Sequence, residues 1–274
     1  MMRRLELAEA LQNARFIEEL RRTRPASGAE VRQVGSGFAL FAGPGTPMSQ
    51  ALGLGLDGPV DAAQIDAVEE LLSRGGGPVV ISVLPCADVS LSTLLAERRY
   101  RAGEFHHVLL RPLDDELSFT APAGVTVRPI EAGERELWAR TVLAGFLEKE
   151  EASVDEAPWF TPTVPDGTTC FIAFDGARAV GAGSVSVEGD VAIFSGTSVL
   201  PSARGRGLQL ALIRARLAHA RRAGCALGNS ATLPATGSQH NLERAGFRIH
   251  HCRVMMVREP SAPIPPAGAP SATA

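Results

Sequence analysis

The sequence is poor in the features that would commit it to a metal, a membrane or nucleic acid. Its four cysteines, Cys86, Cys170, Cys225 and Cys252, form no CxxC pair and no Cys/His group at metal-ligand spacing, so reduced, buried thiols and no metal site are expected. No long apolar run occurs. The stretch MMRRLELAEALQNARFIEELRRT interrupts its apolar positions with Glu6, Glu9, Glu18 and Glu19, which excludes a signal-peptide core or a membrane span and leaves a cytoplasmic address as the expectation. A basic excess is missing too. With a net charge of −3 there is no general field for nucleic acid, and any anion site must be a local concentration of donors. What is present is a 274-residue chain with 45% hydrophobic residues, enough to bury one large core or two ordinary ones.

The two halves echo each other. LAERRYR, ending at Arg101, resembles LERAGFR, ending at Arg248, and Glu97 and Glu243 are 243 − 97 = 146 residues apart. The same offset lays the helix-like DAAQIDAVEELLSRGG on GLQLALIRARLAHARR and the apolar VVIS of residues 79–82 on CALG of 225–228. Each half closes on a strand-like segment opened by paired histidines, HHVLLRP and HHCRVMMVREP. A tandem pair of α/β units follows from this pattern. Residues 1–112 are expected to hold a helix over 3–24 and a short first unit, which has no counterpart of Val125–Phe146. Residues 113–124 read as a Pro-containing linker, 125–259 as the second unit, and 260–274 as a disordered Pro/Ala-rich tail.

In the second unit, patterning predicts a strand over 125–130, a helix within 131–146, and strands near 169–174, 179–187 and 191–199. A helix over 208–223 would bury Leu210, Ile213, Leu217 and Ala220, followed by a strand near 225–230, a short helix near 238–245 and a last strand over 248–258. The segment VLPSARGRGLQLALI joins the 191–199 strand to the long helix. A Gly-containing loop that opens a helix collects unpaired backbone N–H groups at the positive end of the helix dipole, which suits a phosphate. Gly205 and Gly207 let backbone approach closely, and Arg204 and Arg206 add charge that no nearby acid is expected to cancel. The loop lacks the Lys-Ser/Thr ending of a P-loop and comes too late in its unit for a Rossmann fold.

VLPSARGRGLQLALI resembles the pyrophosphate-binding signature of the GNAT superfamily of acyl-CoA-dependent N-acyltransferases, and SQHNLERAGFR resembles that superfamily's closing motif; together they cover about 125–258. Arg204 and Gly207 match the pattern Gln/Arg-x-x-Gly-x-Gly/Ala, while Gln209 takes its last position. The resemblance implies an α/β (α+β) fold of two GNAT-like units, each a mixed, mostly antiparallel sheet flanked by helices, splayed at the acyl-CoA site of the second. It implies acetyl-CoA as acyl donor and no metal. Backbone around Thr197, Ser198 and Val199 would hold the pantetheine arm and polarise the thioester. Arg204, Gly205, Arg206, Gly207, Leu208, Gln209 and Leu210 would hold the pyrophosphate, and Asn241 would contact the coenzyme, although a surface amide is its other reading.

At the same offset the first unit has Gly58 for Arg204 and Asp61 for Gly207, so it is not expected to bind the coenzyme. The tyrosine acid of many relatives is replaced by Leu242, the strand glutamate by Ile193, and the single tyrosine, Tyr100, lies in the first unit. Glu188, Asp190, Ser238 and His240 are the candidate substitutes. The run GFLEKEEASVDEAPWF sets Glu148, Glu150, Glu151, Asp155 and Glu156 before Trp159 and Phe160, and is either a solvated charged loop or an acidic, aromatic-edged lid for a cationic amine, with Glu148, Trp159 and Phe160 touching that substrate. The expected function is acetyl transfer from acetyl-CoA directly to a small-molecule or peptide amine, with no nucleic-acid or membrane partner. A non-catalytic acyl-CoA sensor or assembly module, and a thiol-pathway acetyltransferase resembling mycothiol synthase, are the alternatives.

Overall fold

A computed structural model describes residues 1–114 and 119–260. Residues 115–118 of the expected linker and 261–274 of the expected tail lie outside the described residues. The first half runs α1 (Met2–Thr23), β1 (Glu30–Val34), β2 (Gly37–Phe41), β3 (Gln50–Leu52), α2 (Ala62–Leu72), β4 (Val79–Val83), α3 (Val89–Glu97) and β5 (Arg101–Pro112). The second half runs β6 (Val125–Pro129), α4 (Arg135–Phe146), β7 (Thr168–Asp175), β8 (Arg178–Glu188), β9 (Val191–Val199), α5 (Leu208–Arg222), β10 (Leu227–Thr232), α6 (Gly237–Arg244) and β11 (Arg248–Arg258). The predicted elements of the second half are all present, β9 and β11 with the expected bounds. The paired histidines do not open their strands: β5 and β11 begin earlier, at Arg101 and Arg248.

The repeat is visible in the topology. Ala62 opens α2 and Leu208 opens α5, 208 − 62 = 146 residues later, and each half contains one parallel strand pair, β3 with β4 and β9 with β10. α1 takes the place that α4 holds in the second half, ahead of the antiparallel strands, and β6 has no partner in the first half. The two expected sheets are joined into one of 11 strands, in the order β1-β2-β3-β4-β11-β5-β10-β9-β8-β7-β6. The closing strands cross over: β11 inserts between β4 and β5, and β5 between β11 and β10. Each half therefore completes the hydrogen-bond ladder of the other.

Alternating strand residues bury the two faces separately. On one face, α2 and α3 cover Ala39, Phe41 and Ile81, while α5 and α6 cover Phe171, Val185 and Phe194. On the other, α1 and α4 share a core with Leu40, Leu52, Ala182 and Phe160. α1 packs on β2 and also reaches β8 and β9, so the sheet curls around it. At the centre of that face Glu6 of α1 is 3% exposed and meets both His251 (Oε1 to Nε2, 2.6 Å) and Arg253 (Oε2 to Nη1, 3.0 Å) of β11. Glu9 receives a second Arg253 hydrogen bond at 2.5 Å. Burial alone would raise the Glu6 carboxyl, but the His251 hydrogen bond and the Arg253 charge bring it below its ordinary value.

All four cysteines are free. Cys170 and Cys225 are buried as expected, whereas Cys86 is exposed and Cys252 half-buried.

Candidate functional site

β9 and β10 run parallel only from Val191/Leu227 to Ile193/Asn229, after which β9 leaves β10 and continues to Val199 paired with β8 only. The separation coincides with a bulge: the pairing of β8 with β9 shifts between Ala182/Ser198 and Ser184/Ser195, which leaves two β9 residues, Gly196 and Thr197, opposite the single Gly183. Gly196 has φ +60°, a left-handed conformation that glycine adopts without strain. Helix α4 pins the bulge. Trp138 of α4 donates its indole N–H to the Gly183 carbonyl at 3.1 Å, and the Ser198 hydroxyl donates to the Val142 carbonyl at 2.9 Å. Gly145 of α4 lies so close that a Cβ there would sit 2.6 Å from the Ser198 side chain.

The splay opens into a cleft of about 620 Å³ lined by Thr197, Ser198, Val199, Arg204, Gln209 and Asn241, among others. Gly207, φ +78°, is the N-cap of α5 and carries no side-chain cap. Among the described residues, no N–H from Gly205 to Leu210 has an acceptor. The space where Cβ atoms of Gly205 and Gly207 would project is empty. Gln209 and Asn241 tie the start of α5 to α6, the Asn241 amide donating to Gln209 Oε1 at 2.7 Å.

The equivalent end of α2 is closed. Asp61 accepts the Gln64 N–H at 2.9 Å, Gln64 Oε1 accepts the Asp61 N–H at 3.0 Å, and the N–H groups of Leu56 and Val60 go to the hydroxyls of Ser36 and Ser90. Its carboxylate sits where an anion would have to bind. The nearby cleft is about 250 Å³ and includes a second acid, Asp57.

Several sequence expectations are corrected here. Arg204 and Arg206 are not free of acids: Arg204 makes a two-pronged pair with Glu148, at 2.5 and 2.9 Å, and Arg206 meets Asp175 at 2.6 Å. The arginine hydrogen bonds hold both carboxyls below their ordinary values. Arg204 also donates Nε to the Val199 carbonyl and Nη2 to the Gly145 carbonyl, each at 3.2 Å, so it braces the end of β9. Glu148 therefore lies at the 204–210 loop. Glu150 is likewise engaged, accepting the Ser202 N–H at 2.7 Å and an Arg178 hydrogen bond at 2.7 Å, and Glu156 pairs with Lys149. Phe160 is core, 5.8 Å from the Trp138 ring and 6.0 Å from Phe16, and Trp159 packs edge-on against it. These contacts come from the loop 148–160 folding back onto α1 and α4, which periodicity over so short a run does not reveal.

Glu188 and Asp190 are at the far end of β9, paired with Arg15 and Arg4 of α1. Asp190 precedes Thr197 by 197 − 190 = 7 residues, about 23 Å of strand. His240 is exposed on α6 and outside the cleft, whereas Ser238 lines it. Tyr100 is buried in the first half against Glu69, where burial raises its phenol, away from the cleft.

Residues 134–247 match the family model described as acetyltransferase (GNAT) family. This segment is a GNAT domain. Solved structures support the fold over a longer span. A GCN5-related N-acetyltransferase from Kribbella flavida is 18% identical with a TM-score of 0.61, covering 92% of this chain and 97% of its own. A tandem GNAT protein from the clavulanic acid biosynthesis pathway is 20% identical with a TM-score of 0.56, covering 73% and 70%. A GCN5-related N-acetyltransferase from Sphaerobacter thermophilus is 18% identical with a TM-score of 0.54; the match spans 72% of this chain and 64%, less than two thirds, of that one. No curated protein matches the chain in sequence. At these identities the likeness to solved structures is one of fold.

The GNAT domain holds one residue that periodicity overlooked. Arg216 lies in the buried stripe of α5 between Ile213 and Leu217 and is 0% exposed. It has no carboxylate partner among the described residues. Its Nε donates to the Leu212 carbonyl at 3.0 Å, Nη1 to the carbonyls of Ser184 (2.8 Å) and Ser195 (3.2 Å), and Nη2 to the Thr197 hydroxyl at 2.7 Å. The Phe194 ring covers its guanidinium at 5.2 Å. Burial pushes its pKa down to about 9, which still leaves it charged at neutral pH. A charge inside an apolar helical stripe was the available signal.

Among the described residues no group of His, Cys, Asp and Glu could hold a metal ion, and no helix is long and apolar enough to cross a membrane.

Proposed function

We propose that the chain transfers an acetyl group from acetyl-CoA directly to an amine, with the coenzyme in the second half only. One observation carries this reading: the unpartnered N–H groups of Gly205 to Leu210 lie at the mouth of the β9/β10 splay, while at the matching positions of the first half the N–H groups of Val60, Asp61 and Gln64 are satisfied internally. A diphosphate would occupy the open end of α5, with Arg204 and Arg206 exchanging Glu148 and Asp175 for phosphate oxygens. The pantetheine arm would lie along Thr197 to Val199, whose ladder bonds to β10 are absent, and Asn241 would flank it. The amine nitrogen then attacks the thioester carbonyl carbon, the electron pair moves onto oxygen, and collapse breaks the C–S bond. The thiolate takes a proton and the amine loses one.

The acceptor is a small-molecule or peptide amine. Among the proposed acid and base substitutes only Ser238 borders the cleft, so positioning is the main contribution to rate. The scarcity of proton-transfer groups is also what favours the second reading, a non-catalytic acyl-CoA sensor. Calorimetry with CoA and acetyl-CoA tests the binding, and free-thiol release across an amine panel separates enzyme from sensor. Binding lost on replacing Arg204 and Arg206 together by glutamate is expected. Absence of binding by the unmodified chain overturns both readings. A panel that includes amino-sugar thiol precursors addresses the thiol-pathway alternative.

A further inference from the structure

A buried arginine without a counterion is an unfavourable thing to keep, because its desolvation is offset only by the hydrogen bonds it can make. Arg216 spends those bonds on the bulge that separates β9 from β10. The carbonyls of Ser184 and Ser195 flank that bulge, and Thr197 belongs to it. Thr197 is half-buried and lines the cleft. Its oxygen accepts from Arg216 at 2.7 Å, and its own hydroxyl hydrogen has no acceptor among the described residues. A hydroxyl that accepts from a cation becomes a stronger donor, because the chain of hydrogen bonds is polarised in one direction. Where bound coenzyme excludes water from the cleft, such a donor counts for more than it would in water.

We propose that the Thr197 hydroxyl donates to the thioester oxygen of acetyl-CoA and that Arg216 is the positioning residue which turns and polarises it. This rests on the coenzyme reading above and adds a side-chain donor to it. As the amine attacks, the carbonyl electron pair moves to oxygen, and the Thr197 hydrogen bond strengthens with the negative charge while the proton stays on Thr197. Among the described residues no other hydroxyl lining the cleft accepts from a cation: Ser238 accepts only from the neutral Gln209 amide, at 3.5 Å. Ser198 gives its hydrogen to the Val142 and Thr141 carbonyls, and Ser230 gives its own to the Phe194 carbonyl. The arrangement also accounts for an arginine where the helical stripe calls for leucine: an apolar side chain would leave the Ser184 and Ser195 carbonyls without these donors and the Thr197 hydroxyl free to turn.

Isotope-edited infrared spectroscopy of acetyl-CoA labelled at the thioester carbonyl, bound to the full chain, tests the proposal. The carbonyl band is expected below its free-solution position in the unmodified protein and in Thr197→Ser. It should return toward the free position in Thr197→Val and in Arg216→Met, with the CoA dissociation constant changed less than about threefold because the α5 cradle is untouched. With an acceptor from the amine panel, kcat should fall roughly 10- to 100-fold in each single variant with KM for acetyl-CoA nearly constant. The double variant should be no worse than the more affected single one. A band that stays shifted in Thr197→Val with CoA affinity retained overturns the donor role. If Arg216→Met does not fold, Thr197→Val carries the test, because it leaves the arginine and its carbonyl contacts in place. Failure of the unmodified chain to bind CoA removes the coenzyme reading and this role with it. Binding with an unshifted carbonyl removes the donor role alone.

Discussion

On the proposed coenzyme reading, the pair between Glu148 and Arg204 makes the 204–210 loop a competition between a carboxylate and a phosphate. Glu148 is two-thirds exposed and Arg204 nearly half, so the pair is solvent-screened and weak, yet it must be given up before Arg204 can turn to a diphosphate. Glu148→Gln should therefore tighten CoA binding, by about three- to fivefold at low salt, with the gain fading as salt screens both the pair and the repulsion between Glu148 and the phosphates. Arg204→Gln should weaken it roughly tenfold, the loss of one charge-assisted hydrogen bond of about 1.5 kcal/mol, while the N–H groups of Gly205 to Leu210 sustain the remaining affinity. In the Arg204→Gln background, Glu148→Gln should gain little, since there is no arginine left to release. Calorimetric titration of CoA into the four proteins at low and high salt gives the cycle. Weaker or unchanged CoA binding in Glu148→Gln would refute the competition and make Glu148 a support for the loop.

Four other perturbations follow from the same contacts. Gly207→Ala should destabilise the chain by about 1 to 2 kcal/mol, because φ +78° is left-handed, and should weaken CoA binding as well; thermal denaturation and calorimetry measure the two effects. The isolated segment 119–260 should not fold as a monomer, because removing β5 leaves β10 and β11 with unpaired edges; circular dichroism and size-exclusion chromatography would show it disordered or associated. Glu6→Gln should destabilise by about 1 to 3 kcal/mol, because buried Arg253 loses one of its two carboxylate partners and keeps Glu9. Because the folded Glu6 carboxyl lies below its ordinary value of 4.5, its stabilisation is complete above that pH and is lost as pH falls through the folded value; urea midpoints measured from neutral to acid pH should fall further in the parent than in the variant, which keeps the other lowered carboxyls. An aromatic disulfide reagent should modify exposed Cys86 in the folded chain but leave Cys170, whose thiol burial pushes up to about 12, until unfolding.

Local order and the open start of α5 were legible from the residues alone, for physical reasons that act over short distances. Apolar spacing placed α5 and the strands around it, and Gly207 marked the start of that helix because few other residues tolerate its backbone conformation. The closed helix end of the first half is equally local: an aspartate three residues before Gln64 caps its own helix. What the tertiary structure alone decided depends on partners far away in the chain. Whether Arg204 faces a free anion site or Glu148, and whether Glu188 and Asp190 face the cleft or the arginines of α1, is set by packing across distances in sequence that periodicity does not carry. The crossing of β5 and β11 is of the same kind, since a strand's own pattern names its buried face but not the neighbour to which its N–H and C=O groups bond. Arg216 shows the limit most clearly: the helix pattern places it inward, and only the carbonyls exposed by the bulge in β9 make that position tenable.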